Sequence, residues 1–548
     1  MPLYGLMQDR PLLISSLIEH AARFHPDVDI VSRLPEGGTH RTTWAGIRRD
    51  ACRVAHALKQ LGVGQGDRVG TLAWNSYRHL SMYFGVSGAG SVLHTVNPRL
   101  FPEQIEYIVN HAEDQVLFFD ITFAPLVEKL APKLKTVRAY IAMTSREHMP
   151  RIDVPRLLCW DELLDAQPAA FVWPEFDERL ASSLCYTSGT TGNPKGVLYS
   201  HRSTVLHSLM ELAPDTFGLN SSETVMLIVP MFHANAWGTP YAAAMVGTRL
   251  VLPGPHLDGQ SVYELMAQER VTFSQGVPTV WLMLFQYLDA HPELDPKALG
   301  LKRVGIGGAA VSRAMLERFE RQFGVEVTQG WGMTETSPIG VISKLLPRHE
   351  GLDGEALTQV KLKQGRGVWG VDLKLVDDAG EVQPWDGVSR GHLRVRGPWI
   401  ASGYYKGEGG SPIDEEGFFS TGDVATIDPD GYLQLVDRAK DVIKSGGEWI
   451  SSIDIENIAV GHPKVALAAV IGAAHPKWDE RPVLLVKLKE GEAEDKQEHL
   501  DFLQGKIAKW WMPDDVVFVD DIPLGATGKI DKKTLRERMK GYQLPATG

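Results

Sequence analysis

The stretch Leu184–His201, LCYTSGTTGNPKGVLYSH, decides how the rest of the chain is interpreted. It begins with a short apolar run, passes through small hydroxyl residues and glycines, and becomes apolar again at Val197 after Lys195. Glycines allow positive φ, so successive backbone N–H groups can converge on one anion, and hydroxyls and a lysine add donors. We therefore predict a phosphate-binding loop between two strands.

An ordinary surface hairpin is the alternative interpretation of this segment rich in Ser, Thr and Gly. The segment is not a Walker loop, because its lysine is followed by a glycine and not by the helix-starting Ser or Thr of that pattern. The flanking apolar runs and the lysine together favour phosphate binding. The residues predicted to contact phosphate are Thr187, Ser188, Gly189, Thr190, Thr191, Gly192 and Lys195.

Length and composition limit the classes of protein to consider. The 548 residues are too many for one core, so two or more domains are expected. A net charge of −12 disfavours nucleic acid or an anionic membrane as partner. The 3 scattered cysteines favour a reducing compartment over a disulfide framework. No signal peptide is recognisable, and no apolar run approaches the ~20 residues of a membrane span. We expect a soluble, cytoplasmic protein with no transmembrane segment.

Alternating strand-like and helical patterns predict an α/β fold built on doubly wound sheets. Apolar residues recur at helical spacing over 12–24 and 43–61, and a further helix is predicted over 102–111. The runs expected to form buried strands are 67–74, 91–95, 116–120, 224–229, 249–252, 271–275 and 303–307.

The pattern changes in the second half of the chain. From Leu373, short alternating runs separated by Gly and Asp predict a small antiparallel sheet or barrel. A boundary is expected near 437–441, because a new α/β pattern begins there. The remainder is long enough for a small second domain.

Further short segments carry groups suited to nucleotide chemistry, although each alone has a structural explanation. A Trp in an apolar run usually packs in a core, an Asp after Gly usually forms a turn, and a lysine is usually solvated. The segments are VPMFHANAW at 229–237, GIGGAA at 305–310, QGWGMTE at 329–335, TGD at 421–423 and LGATGKID at 524–531.

The order of these segments resembles that of the adenylate-forming superfamily, which contains acyl-CoA synthetases, peptide-synthetase adenylation domains and firefly luciferases. The resemblance covers essentially the whole chain. Within it, VPMFHANAWG, KSGGEWISS and HPKWDERP are most similar to bacterial medium- and long-chain fatty acyl-CoA synthetases. The resemblance implies two steps: a carboxylate attacks the α-phosphorus of ATP to give an acyl adenylate and pyrophosphate, and CoA then displaces AMP.

The resemblance also implies roles for the residues that perform these steps. Lys529 would bridge the carboxylate and the α-phosphate during adenylation, although an exposed loop lysine is the structural alternative. Thr334 would contact the α-phosphate. Oxygen ligands beside a phosphate suit Mg²⁺, so Glu335 and Thr187 are the implied metal ligands. The implied catalytic residues are Lys529, Thr334, Glu335 and His233.

The adenosine part of ATP is implied to lie against Trp331, which would stack on adenine opposite the backbone of 308–310. Many relatives carry Tyr at this position, and Trp preserves the flat face. Asp423 would accept hydrogen bonds from the ribose hydroxyls, with Arg438 assisting. The implied nucleotide-binding residues outside the phosphate loop are Gly308, Ala309, Ala310, Gln329, Gly330, Trp331, Asp423 and Arg438.

Relatives rotate their small C-terminal domain between the two steps, so that domain motion controls catalysis. The resemblance therefore implies an N-terminal domain at 1–437, a hinge at 438–441 and a small, mobile α+β domain at 442–548. The hinge matches Lys440. The residues expected to help form the CoA channel after rotation are Lys440, Gly446, Gly447, Glu448 and Trp449.

The acyl pocket determines which acid is activated. Amino-acid-activating relatives place an Asp in the segment matching Phe232–Trp237, which here has no acid, and a buried ammonium without a counter-charge is costly. Acetate-selective relatives have a Trp where Gly332 stands, so the pocket is expected to be open there. Trp237 matches a residue that gates the acyl tunnel, and gate and pocket wall are equally supported. The predicted pocket residues are Trp237, Gly307, Gly332 and Met333.

The leading hypothesis is an ATP- and Mg²⁺-dependent acyl-CoA synthetase for medium-to-long-chain aliphatic acids. A CoA ligase for a short thioether or aryl acid, such as 3-methylmercaptopropionate, is the first alternative. A non-catalytic nucleotide-binding protein and a luciferase-like oxygenase are alternatives of other classes. Homodimers occur in close relatives, so a homodimer is a further expectation.

Overall fold

Two large β-sheets form the N-terminal part of the chain. The computed structural model describes residues 2–187, 193–446, 448–525 and 528–545. In chain order the strands are β1 (Asp29–Arg33), β2 (Thr39–Thr43), β3 (Arg68–Leu72), β4 (Val92–Thr95), β5 (Val116–Phe119), β6 (Tyr140–Ala142), β7 (Leu157–Cys159), β8 (Ala181–Tyr186), β9 (Gly196–Ser200), β10 (Thr224–Leu227), β11 (Arg249–Leu252), β12 (Phe273–Gly276), β13 (Arg303–Ile306), β14 (Glu326–Gly332), β15 (Ile339–Ile342), β16 (Arg366–Gly367), β17 (Asp372–Val376), β18 (Gly391–Arg396), β19 (Phe419–Ile427), β20 (Leu433–Arg438), β21 (Ile443–Ser445), β22 (Glu448–Ile450), β23 (Val465–His475), β24 (Asp479–Leu488) and β25 (Asp515–Phe518).

Helices connect most of the parallel strands. The expected start of the second helix is observed, because the Thr43 side chain accepts a hydrogen bond from the backbone N–H of Gly46. The α-helices are α1 (Ile14–Phe24), α2 (Trp44–Gln60), α3 (Tyr77–Gly88), α4 (Pro102–Ala112), α5 (Ala124–Leu130), α6 (Trp160–Asp165), α7 (His201–Glu211), α8 (Thr239–Val246), α9 (Gly259–Glu269), α10 (Pro278–Ala290), α11 (Arg313–Arg318), α12 (Gly354–Lys361), α13 (Ser452–Ala459), α14 (Lys496–Leu503) and α15 (Lys532–Arg538).

Both large sheets have parallel strands in the middle and antiparallel strands at their edges. Over the described residues, the first has the order β7-β6-β5-β3-β4-β8-β9, with only β9 antiparallel to its neighbour. The second has the order β16-β15-β14-β13-β12-β10-β11-β1-β2, with antiparallel pairs at both ends. Parallel neighbours with helical crossovers confirm the predicted doubly wound architecture.

The main core lies between the two sheets. One buried cluster joins Phe118 of the first sheet and Leu227 of the second to Tyr83 of α3 and Tyr241 of α8. Separate clusters cover the outer faces, with α4 and α5 on the first sheet and α9 and α10 on the second. The N-terminal part is therefore layered as helices, sheet, helices, sheet and helices.

The second half of the chain forms two smaller sheets. Strands β17, β18, β19 and β20 pair in that order and are antiparallel throughout, as the alternating runs predicted. After them, β22, β21, β24 and β23 form a sheet to which β25 adds a parallel pair with β24. Helices α13, α14 and α15 pack on this last sheet, which gives the expected α+β arrangement.

Several predicted strands are longer than the observed ones. The strand expected over 224–229 ends at Leu227, because the Asn75 amide donates to the carbonyl oxygens of both Leu227 (2.6 Å) and Val229 (2.9 Å) and replaces a strand partner there. The pairing between neighbouring strands therefore stops where the Asn75 side chain bonds the backbone carbonyl oxygens instead. Among the helices of the described residues, none has the length and apolar character needed to cross a membrane.

Candidate active site

The candidate site lies where several strands of both large sheets end. Thr187 follows the carboxyl end of β8, Gly307 follows β13 and Met333 follows β14. In parallel sheets, ligands bind in the crevice outside these strand ends. The topology therefore brings together segments that are far apart in sequence.

The base of the phosphate loop is closed by two hydrogen bonds. The N–H of Thr187 donates to the carbonyl oxygen of Lys195 (2.9 Å), and the N–H of Lys195 donates to Oγ1 of Thr187 (3.1 Å). The predicted strands on either side are β8 and β9. Roles for the loop interior stay predictions, because the following lie outside the described residues: Ser188, Gly189, Thr190, Thr191 and Gly192.

Tyr404 contacts both Lys195, at the end of the expected phosphate loop, and Glu335, an expected metal ligand. The Lys195 ammonium lies 4.7 Å from the centre of the Tyr404 ring, and the Tyr404 hydroxyl donates to Oε1 of Glu335 (2.7 Å). Burial raises the pKa of the Glu335 carboxyl, and the hydrogen bond from Tyr404 opposes that rise. The sequence did not single out Tyr404, since a tyrosine in the turn-rich segment ASGYYKG has no distinguishing signal.

The segment that carries Thr334 is fixed to the strand after the phosphate loop. The Tyr199 hydroxyl, on β9, donates to the backbone carbonyl oxygen of Thr334 (2.6 Å). Thr334 and Glu335 form a short 3-10 turn together with Thr336, and all are buried. Because β9 also borders the phosphate loop, one strand positions both the loop and the implied α-phosphate contact.

A buried carboxylate organises the expected adenosine side of the site. Oδ2 of Asp423 accepts from Nε1 of Trp331 (2.9 Å), and its Oδ1 pairs with Nε of Arg438 (2.9 Å). Burial raises the pKa of the Asp423 carboxyl, and the charge of Arg438 opposes that rise. A Cβ at Gly340 would come within 2.5 Å of the Trp331 ring, so one part of the indole is covered by backbone. Adenine stacking on Trp331 stays a prediction.

Lys529 lies at the same place although it comes from the C-terminal part of the chain. Its Cε is 3.7 Å from where a Cβ of Gly308 would stand, and Gly308 has a φ of +82°. Burial, followed by the positive charge of Arg438, lowers the pKa of Lys529 to about 8, against the opposing charges of Asp423 and Glu335. The structure therefore brings this lysine to both implied acidic groups.

His233 lies on the side of the site where Lys529 is found. Burial, followed by the positive charges of Lys529 and Arg99, lowers the pKa of His233 to about 4. A histidine with this pKa is neutral at pH 7, so in this arrangement it is not a cation for a phosphate. A catalytic role for His233 stays a prediction.

The other residues implied to bind the nucleotide lie on β14 and in the segment that follows β13. The Gln329 amide donates to the carbonyl oxygens of Lys361 (2.7 Å) and Lys363 (2.8 Å), which ties β14 to the end of α12. The side chain of Gln329 is therefore engaged in the fold. A Cβ at Gly330 would meet the Ile342 side chain at 2.8 Å. Beside Gly308, Ala309 is exposed and Ala310 is half-buried.

The turn that carries Trp237 has an unusual backbone. Ala234, Asn235, Ala236 and Trp237 all have positive φ, between 42° and 60°, and Gly238 follows with a φ of 86°. Left-handed conformation costs about 1–2 kcal/mol for each residue that carries a Cβ. The surrounding structure must therefore hold this turn in place.

The Trp237 ring lies over one of the predicted pocket glycines. A Cβ at Gly307 would come within 3.0 Å of the far edge of the indole, so the absent side chain makes room for the ring. The N–H of Met333, another predicted pocket residue, donates to Oγ1 of Thr336 (2.9 Å). The contact between the Trp237 ring and Gly307 is compatible with Trp237 as a pocket wall or as a gate.

Gly332 does not leave open space where the sequence interpretation placed it. A Cβ at this position would stand 1.6 Å from the carbonyl oxygen of Pro338 and 3.2 Å from Oγ1 of Thr336. The glycine is needed because the chain folds back on itself directly after Glu335. The prediction of an opening at the Cβ of Gly332 is therefore wrong, and its place in the acyl pocket stays a prediction.

The segment expected to form the CoA channel packs on another aromatic residue. The N–H of Gly446 donates to the carbonyl oxygen of Trp478 (2.9 Å), and a Cβ at Gly446 would be 2.7 Å from the Trp478 ring. The Trp449 carbonyl oxygen accepts from Arg390. Burial lowers the pKa of Lys440. Gly447 and the side chain of Glu448 lie outside the described residues.

Replacing Tyr404 by phenylalanine tests its link to Glu335. The ring stays under Lys195, but the donor to Oε1 is lost, and a hydrogen bond of this kind contributes about 0.5–1.5 kcal/mol. We expect the Mg²⁺ concentration that gives half-maximal pyrophosphate release to rise about 3- to 10-fold. Tyr405→Phe removes the neighbouring hydroxyl and serves as the control. Equal Mg²⁺ dependence in both variants would contradict the role of Tyr404.

Comparison with protein families agrees with this geometry. A family model described as "AMP-binding enzyme" matches residues 18–405, and one described as "AMP-binding enzyme C-terminal domain" matches residues 454–529. The chain belongs to the AMP-binding enzyme family. It is an ATP-dependent, AMP-forming acid–thiol ligase of the adenylate-forming superfamily that uses Mg²⁺ and CoA to make acyl-CoA.

Named relatives share the full length of the chain. A 3-methylmercaptopropionyl-CoA ligase of Ruegeria pomeroyi is 53% identical over 98% of this chain and 99% of its own. A medium-chain fatty acid–CoA ligase of Ectopseudomonas oleovorans is 47% identical over 97% of each chain. The crystal structure of an anthranilate CoA ligase with anthranoyl-AMP has a TM-score of 0.85 at 26% identity and covers 98% of both chains. The predicted superfamily and reaction class are confirmed.

Proposed function

We propose that this enzyme activates aliphatic monocarboxylic acids with an uncharged tail, of medium chain length. The observation that carries the proposal is the contact of the Trp237 ring with Gly307, which lines the expected pocket with an apolar surface. The segment Phe232–Trp237 supplies no acidic side chain, which disfavours an amino acid. The 47% identical relative named for medium-chain fatty acids supports the same class of acid.

A short thioether acid is the second candidate, and a specific observation favours it. The 53% identical relative is named for 3-methylmercaptopropionate. This acid has the same number of non-hydrogen atoms as pentanoate, with sulfur in place of one methylene, and an apolar pocket distinguishes such pairs only weakly. The contact of Trp237 with Gly307 as it stands also favours a short chain, if the ring is a fixed wall.

In the proposed adenylation step, charged residues hold two anions together. Lys529, protonated below its pKa of about 8, bridges the acid carboxylate and the α-phosphate. The carboxylate oxygen bonds to the α-phosphorus while the bond to the pyrophosphate oxygen breaks. Asp423 accepts from the ribose hydroxyls, with Arg438 beside it. These positions keep the acid and ATP aligned for attack.

The residues at the expected Mg²⁺ site suit this ion. Burial raises the pKa of the Glu335 carboxyl, and a neighbouring divalent cation would stabilise its charged form. Thr187 adds a hydroxyl oxygen, and Mg²⁺ commonly takes one or two carboxylates together with substrate phosphates. Glu335 and Thr187 would hold the ion, which neutralises charge on the phosphates when bound.

The second step requires the C-terminal part to move. In the described arrangement Lys529 lies beside Gly308, which suits adenylation. Rotation about a hinge at 438–441, between domains at 1–437 and 442–548, would withdraw Lys529 and bring Gly446 and Trp449 to the site. The CoA sulfur then bonds to the acyl carbon as the bond to AMP breaks.

The proposed cellular setting rests on the thiols. All three cysteines, Cys52, Cys159 and Cys185, are free and buried, which supports the reducing cytoplasm. The homodimer implied by the resemblance stays a prediction. Sedimentation of the purified chain at several concentrations would measure its oligomeric state.

A panel of acids tests the substrate. CoA-dependent AMP formation is measured with pentanoate, 3-methylmercaptopropionate, octanoate, palmitate and benzoate at equal, sub-saturating concentrations. We expect the highest kcat/KM at octanoate. A several-fold preference for 3-methylmercaptopropionate over pentanoate would favour the thioether candidate, since the two differ only by sulfur for methylene. A preference for benzoate would contradict the aliphatic class.

A further inference from the structure

A buried polar cluster stands directly behind the left-handed turn at Ala234–Gly238. Glu211 of α7, Thr239 at the start of α8 and Gln275 of β12 meet there, and all have an exposed fraction of 1% or less. The Thr239 hydroxyl is 3.1 Å from Oε2 of Glu211 and 2.7 Å from Oε1 of Gln275. Three separate elements are thus joined through one hydroxyl group.

This cluster presses against the backbone of Gly238. A Cβ at Gly238 would stand 2.4 Å from Oε1 of Glu211 and 2.6 Å from Nδ1 of His207. The next residue back is Trp237, which covers Gly307. The position of the Glu211 carboxyl therefore decides where the end of the turn can lie.

The other end of the turn is held by a different strand. The Asn235 amide donates to Oγ of Ser183 (2.8 Å), and its carbonyl oxygen accepts from the Cys185 thiol (3.3 Å). Both partners lie on β8, which leads into the phosphate loop. The turn is thus held at Asn235 by β8 and at Gly238 by the cluster. A left-handed segment is strained, and it persists only when its surroundings hold it in this way.

The hydrogen bonds of the cluster, with the Gln275 amide as oriented here, fit a neutral acid. The Thr239 hydroxyl has one proton, and with the Gln275 amide as oriented here that proton goes to Oε1 of Gln275. A neutral Glu211 can then donate its own proton to the Thr239 oxygen, which leaves no buried charge in the cluster. His207 cannot supply a positive charge, because its Nε2 accepts from the N–H of Ile339 (3.2 Å). Burial raises the pKa of Glu211 well above its usual range and lowers the pKa of His207 to about 3, which favours the uncharged form of both side chains.

We propose that Glu211, through Thr239 and Gln275, is a positioning residue that holds Trp237 over Gly307 and so sets the length of acid the enzyme prefers. This inference rests on the proposed function. Glu211 acts through the turn and does not touch the substrate. Its carboxyl fills the space behind Gly238, and its hydrogen bonds fix that carboxyl in place.

The test is the ratio of kcat/KM for dodecanoate to that for pentanoate. Glu211→Ala opens space behind Gly238 and should change this ratio at least 10-fold, while the KM for ATP stays within about 2-fold. Glu211→Gln can donate to Thr239 as the neutral acid does, so it should keep the ratio within about 3-fold. A lower fraction of folded protein reduces the kcat/KM for dodecanoate and that for pentanoate equally, so the ratio reports on the folded enzyme alone.

Thr239→Val provides a second route if Glu211→Ala does not fold. It removes the hydroxyl that joins the cluster and should shift the ratio in the same direction. In a Trp237→Ala background, Glu211→Ala or Thr239→Val should have no further effect on the ratio, because the residue being positioned is absent. An unchanged ratio in the single variants, or equal changes in Glu211→Ala and Glu211→Gln, would overturn the inference.

The proposed substrate class can be wrong while the inference about Glu211 is right. If the wild-type enzyme prefers aryl acids, the aliphatic class is wrong. The same variants are then compared on benzoate and a longer aryl acid. A changed ratio in Glu211→Ala with retention in Glu211→Gln would still support the positioning role, and unchanged ratios would still refute it.

Discussion

Replacing Lys529 by alanine is expected to lower the rate of acyl adenylate formation about 100- to 1000-fold, the usual effect of losing one group that stabilises transition-state charge. The Cε of Lys529 lies beside Gly308, and the charges of Asp423 and Glu335 favour its protonated form. Thioester formation from supplied acyl adenylate should be nearly unchanged, because the proposed second step no longer uses this lysine. Pyrophosphate release and CoA consumption measure the two half-reactions separately.

Lys533→Ala is the matched control for Lys529→Ala. Lys533 is an exposed lysine in the same C-terminal segment, at the start of α15. Its removal should leave both half-reactions within about 2-fold of the wild-type rates. If Lys529→Ala slows the two half-reactions equally, a role restricted to adenylation is incorrect and a general structural role is favoured.

Replacing Asp423 by asparagine is expected to raise the KM for ATP about 10- to 100-fold, with a smaller effect on the KM for the acid. Asp423 is only 3% exposed, and the change keeps its shape while removing its charge. Its charge-assisted contact with Arg438 and the proposed hydrogen bonds from ribose are both weakened. Initial rates at varied ATP and fixed acid measure the effect.

Asp430→Asn is the matched control, because it weakens another Asp–Arg pair away from the site. Asp430 lies 2.8 Å from Arg348. That pair is partly exposed, and such pairs contribute about 0–1 kcal/mol, so no change in the KM for ATP is expected. If Asp423→Asn raises the KM for the acid as much as that for ATP, a specific ribose contact is not supported.

The fold and reaction class were predictable because their signals are local or ordered along the chain. Alternating apolar runs gave the doubly wound sheets, although side chains such as Asn75 set where individual strands end. The order of the segments from Thr187 to Lys529 indicated the superfamily, which the family comparison confirms. The individual roles of those residues stay predictions, although the structure brings Lys529, Glu335 and Asp423 to one place.

The contacts that the sequence missed join residues far apart in the chain. Tyr404 bonds Glu335 across 69 positions, and neither residue type nor local spacing indicates that partner. The left-handed turn was not predicted, because Asn235, Ala236 and Trp237 are not glycines, and glycine is the usual sign of a positive φ in a sequence. Its conformation depends on partners on β8 and on α7, which only the folded chain supplies.

The close approach at Gly332 restricts how this enzyme can diversify. A larger residue there would have to displace the Pro338 carbonyl, which stands 1.6 Å from the Cβ position. That carbonyl follows the turn that contains Thr334 and Glu335, so a substitution at Gly332 would also disturb the turn that holds the implied phosphate and metal contacts. Any route to a larger residue at Gly332 is therefore epistatic, because a change that moves the Pro338 carbonyl has to accompany it.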